Sequence, residues 1–600
     1  MGMEMLTARA LTAQLADDLS WLEQHCRKQP DQAQAAGKLR LAAALVRNCI
    51  GPRLDDQPPT PIHVVVVGGA GAGKSTVANL LSGAVAAEAN PQAGFTRHPI
   101  AYTNSNGPLQ WTAHAGFLGP LQPLTQPSPS SLDEDVYQVR RISADPCSSN
   151  LLKDFIIWDC PDMTTWAASS YLPRLLEAAA LADIVVYVAS DERYNDEAPT
   201  QFLHLLLQTG KPVVAVLMKM KEADAPALIA HFQREVIAHL PHPPGGGVIA
   251  TLAVPFLTPA QLADPARQVP HYRIPLLNQV AVLGTPAAAA RRRTVLGAMH
   301  FLVRHREHLL SVVERDLRAM QKWQAVVHAG QADFEQRYFR EYLTSENFRG
   351  FDEALVRLME LLELPGFGKF LSGTLYVLRT PGRLLMSALA KAVRRPETPG
   401  RPELPILEDA LNGWIDLLRK EAARHAADHG LWRHVEAGFH NGGLAERIRE
   451  HFQQNYRNFQ ASLITEVDRT ARAIYEQLEK TPALLNTLRG SKFALDAAAI
   501  GGTLAAGGIN WHDFLLVPLV ASLTHQLVEL LGKTVVDAQR EQTRQRQQAL
   551  LRQHLSAPLA AWLAQWPATG GSDWERLQLV LHRIPDAIAQ LEACVQMSVT

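Results

Sequence analysis

Five apolar runs without polar alternation mark the first half of the chain: VVVVGG from residue 64, FIIWDCPD from 155, DIVVYVAS from 183, PVVAVLMK from 212 and GVIATLAV from 247. Such runs fit strands covered on both faces, as in a parallel sheet, and helical stretches at 169–181 and 224–239 supply the cover. Past residue 290 the pattern changes. Apolar residues recur at three- and four-residue spacing over 294–327, 331–344, 351–363, 405–428, 443–480, 533–565 and 573–597, which predicts long helices. Residues 4–28 and 31–49 carry the same period, and GPRLDDQPPTP (51–61) reads as a linker. The Pro-rich stretch 119–130 reads as a surface loop. The expected fold is an α/β domain over 56–288, with a mostly parallel sheet and helices on both faces. An extended α-helical bundle follows over 289–600, and the helices of 1–55 are assigned to it.

The first strand runs into Gly68-Gly69-Ala70-Gly71-Ala72-Gly73-Lys74-Ser75-Thr76 and then into a helical pattern. This is G-x-x-x-x-G-K-[ST] in the strand–turn–helix setting that binding a phosphate chain requires. Glycines let the backbone curl so that its N–H groups point at phosphate oxygens, with the positive end of a helix behind them. Lys74 then reaches the β- and γ-phosphates and the Ser75 hydroxyl binds Mg²⁺. A second carboxylate is expected on a later strand to hold the metal through water, and Asp159 supplies it. Between them Phe95-Thr96-Arg97-His98-Pro99 is placed as a loop closing over the γ-phosphate, with Thr96 completing the metal shell. Lys74, Thr96 and Asp159 are the expected catalytic residues, and Ser75, Thr96 and Asp159 the metal ligands.

Composition narrows the class. A formal net charge of −1 argues against a general nucleic-acid binder. Five scattered cysteines, none spaced C-x-x-C, give neither a disulfide framework nor a zinc site and suit a reducing cytosol. The N-terminal segment lacks the charged start and apolar block of a secretion signal. No uninterrupted apolar run reaches the ~20 residues of a spanning helix.

The trio GGAGAGKST, GFTRHP and DCPDMTT resembles the dynamin superfamily of large GTPases, whose motifs run GGxxxGKS, VTRRP and DLPGMT. The motif match covers 62–220; over 290–600 the likeness is one of helical architecture. The resemblance implies an α/β P-loop GTPase domain that binds Mg²⁺ and GTP and is cytoplasmic and peripherally membrane-associated. It also implies a homodimer or higher homo-oligomer, and no nucleic-acid partner. Lys219 corresponds to the lysine that packs along the base.

The chain departs from the family pattern in several places. The glycine of DxxG is Asp162, and Ala70 and Gly71 replace the side chains that position water and a monovalent cation. Met218-Lys219-Met220-Lys221 stands where [NT]-K-x-D reads guanine, with Asp224 three residues beyond. No proline-rich tail or lipid-binding module is apparent in the sequence. The expected function is a dynamin-like GTPase of slow intrinsic hydrolysis. The alternatives are a degenerate nucleotide switch or scaffold, or an ATPase with an altered base pocket. Arg97 is a candidate for neutralising charge in the transition state.

Two helical-half segments are candidates for membrane contact. Residues 494–531 read as a hydrophobic hairpin with a polar turn at Asn510–Asp513, and 364–396 carries six cations and no acid. Burial in the bundle is the alternative for both. The polar helix 533–554 reads as a solvated bundle face.

Overall fold

In the computed structural model, residues 7–29, 32–54, 61–87, 96–104, 109–114, 116–124, 134–142, 154–163, 168–241, 246–346, 348–362, 401–490, 512–568 and 573–599 are described. All five runs are strands of one eight-stranded sheet, in the order β3-β4-β2-β5-β1-β6-β7-β8. β1 is Ile62–Gly68, β5 Phe155–Asp159, β6 Ile184–Ser190, β7 Pro212–Met218 and β8 Gly247–Val254. These five lie parallel, and β1, β5, β6 and β7 are buried along their whole length. The β-branched pattern without alternation reflects that double cover.

The other three strands, β2 (Ile100–Thr103), β3 (Gln122–Pro123) and β4 (Val136–Arg141), were not anticipated. β2 is antiparallel to β5 and parallel to β4, so this flank runs opposite to the central block. β3 falls inside the stretch read as a surface loop, and both of its residues are exposed.

The chain divides into two units, Met1–Arg315 with Glu575–Thr600, and Asp316–Trp574. The first holds the sheet, and it also holds the N-terminal helices α1 (Ala8–Arg27) and α2 (Ala33–Leu45). This differs from the expected assignment of 1–55 to the bundle and from the boundary expected at 288. The physical reason is a buried polar knot. Glu177 on helix Ala168–Leu181 is fully buried and accepts from Arg47 Nη2 at 2.6 Å and Asn48 Nδ2 at 2.9 Å. Asn48 Oδ1 accepts from the Leu118 amide at 2.8 Å, which adds the segment before β3. Burial raises the Glu177 pKa while Arg47 and Arg40 oppose the rise. At the other end of the chain, Arg583 of helix Asp573–Val599 pairs with buried Asp18. The stretch read as a linker from 51 is helical to Leu54, continuing directly from the π-turn Val46–Ile50.

On β1, His63 is buried beside Trp158, whose indole N–H donates to His63 Nδ1 at 3.1 Å. Burial pushes the imidazole down to about 3, against a nearby Asp183 that favours the charged form. An unfolded histidine titrates near 6.5, so between about pH 6.5 and 3 only the unfolded chain takes up this proton. Stability contributed by neutral His63 is therefore lost on acidification, by about 2 kcal/mol at pH 5. Urea unfolding at pH 7 and pH 5 checks this: His63→Gln, which keeps an acceptor for Trp158, is expected to lose about 2 kcal/mol less than wild type over that interval. Equal losses would refute the assignment.

The described elements of the second unit are all helices, as the spacing predicts. The stretches 294–327 and 331–344 form a single helix, Ala287–Tyr338, which continues as a π-turn to Leu343. Its part beyond Arg315 packs Trp323, Phe334 and Tyr338 into one core with Trp414, Phe452, Phe459, Leu555 and Leu563. Gly330 allows the close approach of the Glu403–His425 helix, since a Cβ there would lie 2.0 Å from Trp414 Cδ1. The polar helix read at 533–554 is Lys533–Leu551 continued by a π-turn, with Val536, Thr543, Gln547 and Leu551 buried on one face.

Segment 364–396 and residues 494–511 lie outside the described residues. The second arm of the expected hairpin is the helix His512–Leu531, and its Leu519, Leu523 and Leu527 are buried in this core. Spacing of four places them on one face, so that face is not available to lipid. Among the described residues no helix is long and apolar enough to cross a membrane.

Candidate nucleotide-binding site

The site is assembled at the carboxyl ends of the parallel strands, where open α/β sheets bind ligands. Register places Val66 of β1 opposite Asp159 of β5 and Gly68 opposite Val188 of β6. The loop leaves β1 at Gly68, where a Cβ would lie 2.1 Å from the Val188 carbonyl oxygen, so only glycine fits there. It enters helix Lys74–Ser82 through Gly73, at φ 103°. The loop thus delivers Lys74, Ser75 and Thr76 to the first turn of a nine-residue helix, with the helix N–H groups aimed outward.

Ser75 Oγ donates to Asp159 Oδ2 at 2.8 Å, joining two residues that are 84 positions apart. Burial pushes the Asp159 carboxyl up to about 6, opposed by the Ser75 hydrogen bond and the Lys74 charge. Its second oxygen, Oδ1, is buried without a hydrogen-bond partner. A hydroxyl and a carboxylate oxygen in need of a partner are hard donors suited to Mg²⁺, with water and phosphate oxygens filling the remaining positions. Among the described residues no cluster of three His, Cys, Asp or Glu side chains is placed to hold a metal ion.

Lys74 is buried, and its ammonium donates to the Gly69 carbonyl at 3.0 Å and to Asp162. Asp162 is itself buried. The sequence flags it as a departure from DxxG but leaves open which way its side chain turns; it turns inward. Its position in Asp159-Cys160-Pro161-Asp162 was the available signal.

Lys219 follows β7 with φ 64°, and its ammonium donates to the Gly71 carbonyl at 2.6 Å. The hydrogen bond lays the exposed aliphatic stem beside the phosphate loop, where a purine would stack. Lys221 caps a short 3-10 turn, Glu222–Asp224, and is exposed. Asp224 is exposed on the same turn. Gly68, Gly69, Ala70, Gly71, Ala72 and Gly73 all lie on the loop as the sequence places them.

Thr96 is half-buried just ahead of β2, and among the described residues no hydrogen bond joins it to Ser75 or Asp159. Neighbouring Arg97 is exposed; its carbonyl accepts from Arg174 Nη1 at 3.0 Å. Phe95 lies outside the described residues.

The sheet, loop and paired Ser75–Asp159 define the class: a phosphate-loop nucleotide-binding domain of the α/β type, mostly parallel, with helices on both faces. Residues 63–219, roughly a quarter of the chain, match the model of the 50S ribosome-binding GTPase family. No curated protein matches the sequence. Two solved structures of an oligomerised bacterial dynamin pair, concerned with sensing and tethering of membranes, align along the chain. One is 10% identical, covers 99% of this chain and 96% of its own, and has a TM-score of 0.35. The other is 11% identical, covers 100% and 84%, and has a TM-score of 0.26.

Proposed function

We propose that this chain binds Mg²⁺ and GTP at the Gly68–Thr76 loop and hydrolyses the nucleotide, slowly when alone. Closure of the Thr96 and Asp159 segments is then coupled to homodimerisation and to association with a membrane surface. The observation that carries the nucleotide reading is the convergence of Lys74, Ser75, Asp159 and Lys219 on one loop. Loop N–H groups and Lys74 hold the phosphates, and Ser75 and Asp159 hold the metal. Bound there, Mg²⁺ neutralises phosphate charge as the terminal bond breaks. Ala70 and Gly71 offer no side chain to orient water, which supports slow turnover without a partner's groups. The membrane and dimer parts rest on the motif resemblance and on the cations of 364–396.

Competition of GTP and ATP for one labelled nucleotide tests the reading. GTP is expected to win by about tenfold or less, because no carboxylate pairs with the guanine edge at Lys221. Displacement by ATP alone would make the site an ATPase site. Flotation with anionic vesicles tests the membrane part: recovery with the lipid is expected to fall when the cations of 364–396 are replaced, and unchanged flotation removes that segment from the reading. Single-turnover hydrolysis against Lys74→Ala separates enzyme from scaffold, equal rates favouring the scaffold that Ala70 and Asp162 suggest.

A further inference from the structure

We propose that Asp162 sets the balance between triphosphate and diphosphate at this site, by holding the Lys74 ammonium that a terminal phosphate needs. The inference rests on the nucleotide reading above. An ammonium has three donors. One serves Gly69, a second serves Asp162, and one remains. A diphosphate presents its last phosphate to the remaining donor and leaves the Asp162 pair intact. A triphosphate brings a further anion to the donor that the carboxylate already occupies, and two anions then face one cation.

Both side chains are largely withdrawn from water, so this competition is weakly screened. The structure also provides somewhere for the displaced carboxylate to go. Asp162 borders a cavity of about 700 Å³ that is lined, among the described residues, by Lys38, Met163, Leu175, Gln201 and His204. Triphosphate binding therefore includes the cost of parting a buried ion pair, which diphosphate binding does not. A glycine at this position would impose no such cost, and its backbone would be free to approach the phosphate.

Calorimetry on the full chain with Mg²⁺ tests the proposal, using GDP and a non-hydrolysable GTP analogue. Asp162→Asn keeps the shape and removes the charge; Asp162→Gly is a second, independent variant, and circular dichroism reports folding of each. The ratio of analogue affinity to GDP affinity is expected to rise about tenfold in both, mainly through the analogue. A ratio within twofold of wild type in either folded variant overturns the role of Asp162 and leaves the nucleotide reading standing. Wild type that binds neither nucleotide overturns that reading, and this inference with it.

Discussion

Lys74→Ala is expected to weaken binding of GTP by at least about a hundredfold, equivalent to about 3 kcal/mol, as read by calorimetry with Mg²⁺. Hydrogen bonds to charged groups contribute about 1.5–3 kcal/mol each, and this ammonium is the loop's one side-chain cation. It is buried and held in place by the Gly69 carbonyl, so little ordering is needed when phosphate arrives. The substitution also removes the cation facing Asp162. Nucleotide-free Lys74→Ala is therefore expected to melt below wild type, and adding Asp162→Asn should restore the melting temperature without restoring GTP affinity. A single variant that binds GTP within threefold of wild type would sink the phosphate role of Lys74.

Glu177→Ala should lower the stability of the sheet-bearing unit by about 3–5 kcal/mol in urea unfolding at neutral pH. The glutamate is fully buried, and its two oxygens serve Arg47 and Asn48, with Arg40 Nε 4.0 Å away. Truncation leaves guanidinium groups packed beside an empty volume without their acceptor. Gly119 packs directly on this carboxylate, since a Cβ there would lie 2.7 Å from Glu177 Oε1. Glu177→Gln keeps the volume but turns an acceptor into a donor, and should cost less than alanine. Loss under 1 kcal/mol for alanine would show that the knot is not what binds the N-terminal helices to the sheet.

The centre of the sheet was legible because β1, β5, β6 and β7 are buried on both faces, which forces unbroken apolar runs. Its antiparallel flank was not. β4 reads Val-Tyr-Gln-Val-Arg-Arg with half its residues partly exposed, and β3 is two residues long, so only pairing to neighbours defines them. The phosphate loop was legible because its glycines are fixed by sterics, as at Gly68 and Gly73; Lys219 was placed by motif resemblance, and its bond to the Gly71 carbonyl is visible only in the structure. The inward turn of Asp162 depends on tertiary placement next to Lys74, which spacing along the chain does not encode. Amphipathic helices likewise announce a buried face without naming its partner. The one cue that α1 and α2 belong with the sheet was a glutamate in the apolar stretch Leu175-Leu176-Glu177-Ala178-Ala179.

That knot has a practical consequence for anyone cutting the gene. A fragment starting at residue 56 and ending at 288 would contain every loop and strand of the nucleotide site, yet it would bring Glu177 to the surface without Arg40, Arg47 or Asn48. It would also strip Asp183 of its hydrogen bond from Thr294 at 3.0 Å. Excision at those limits should yield insoluble material, whereas splicing 1–315 to 575–600 keeps these pairings and is the better piece to try.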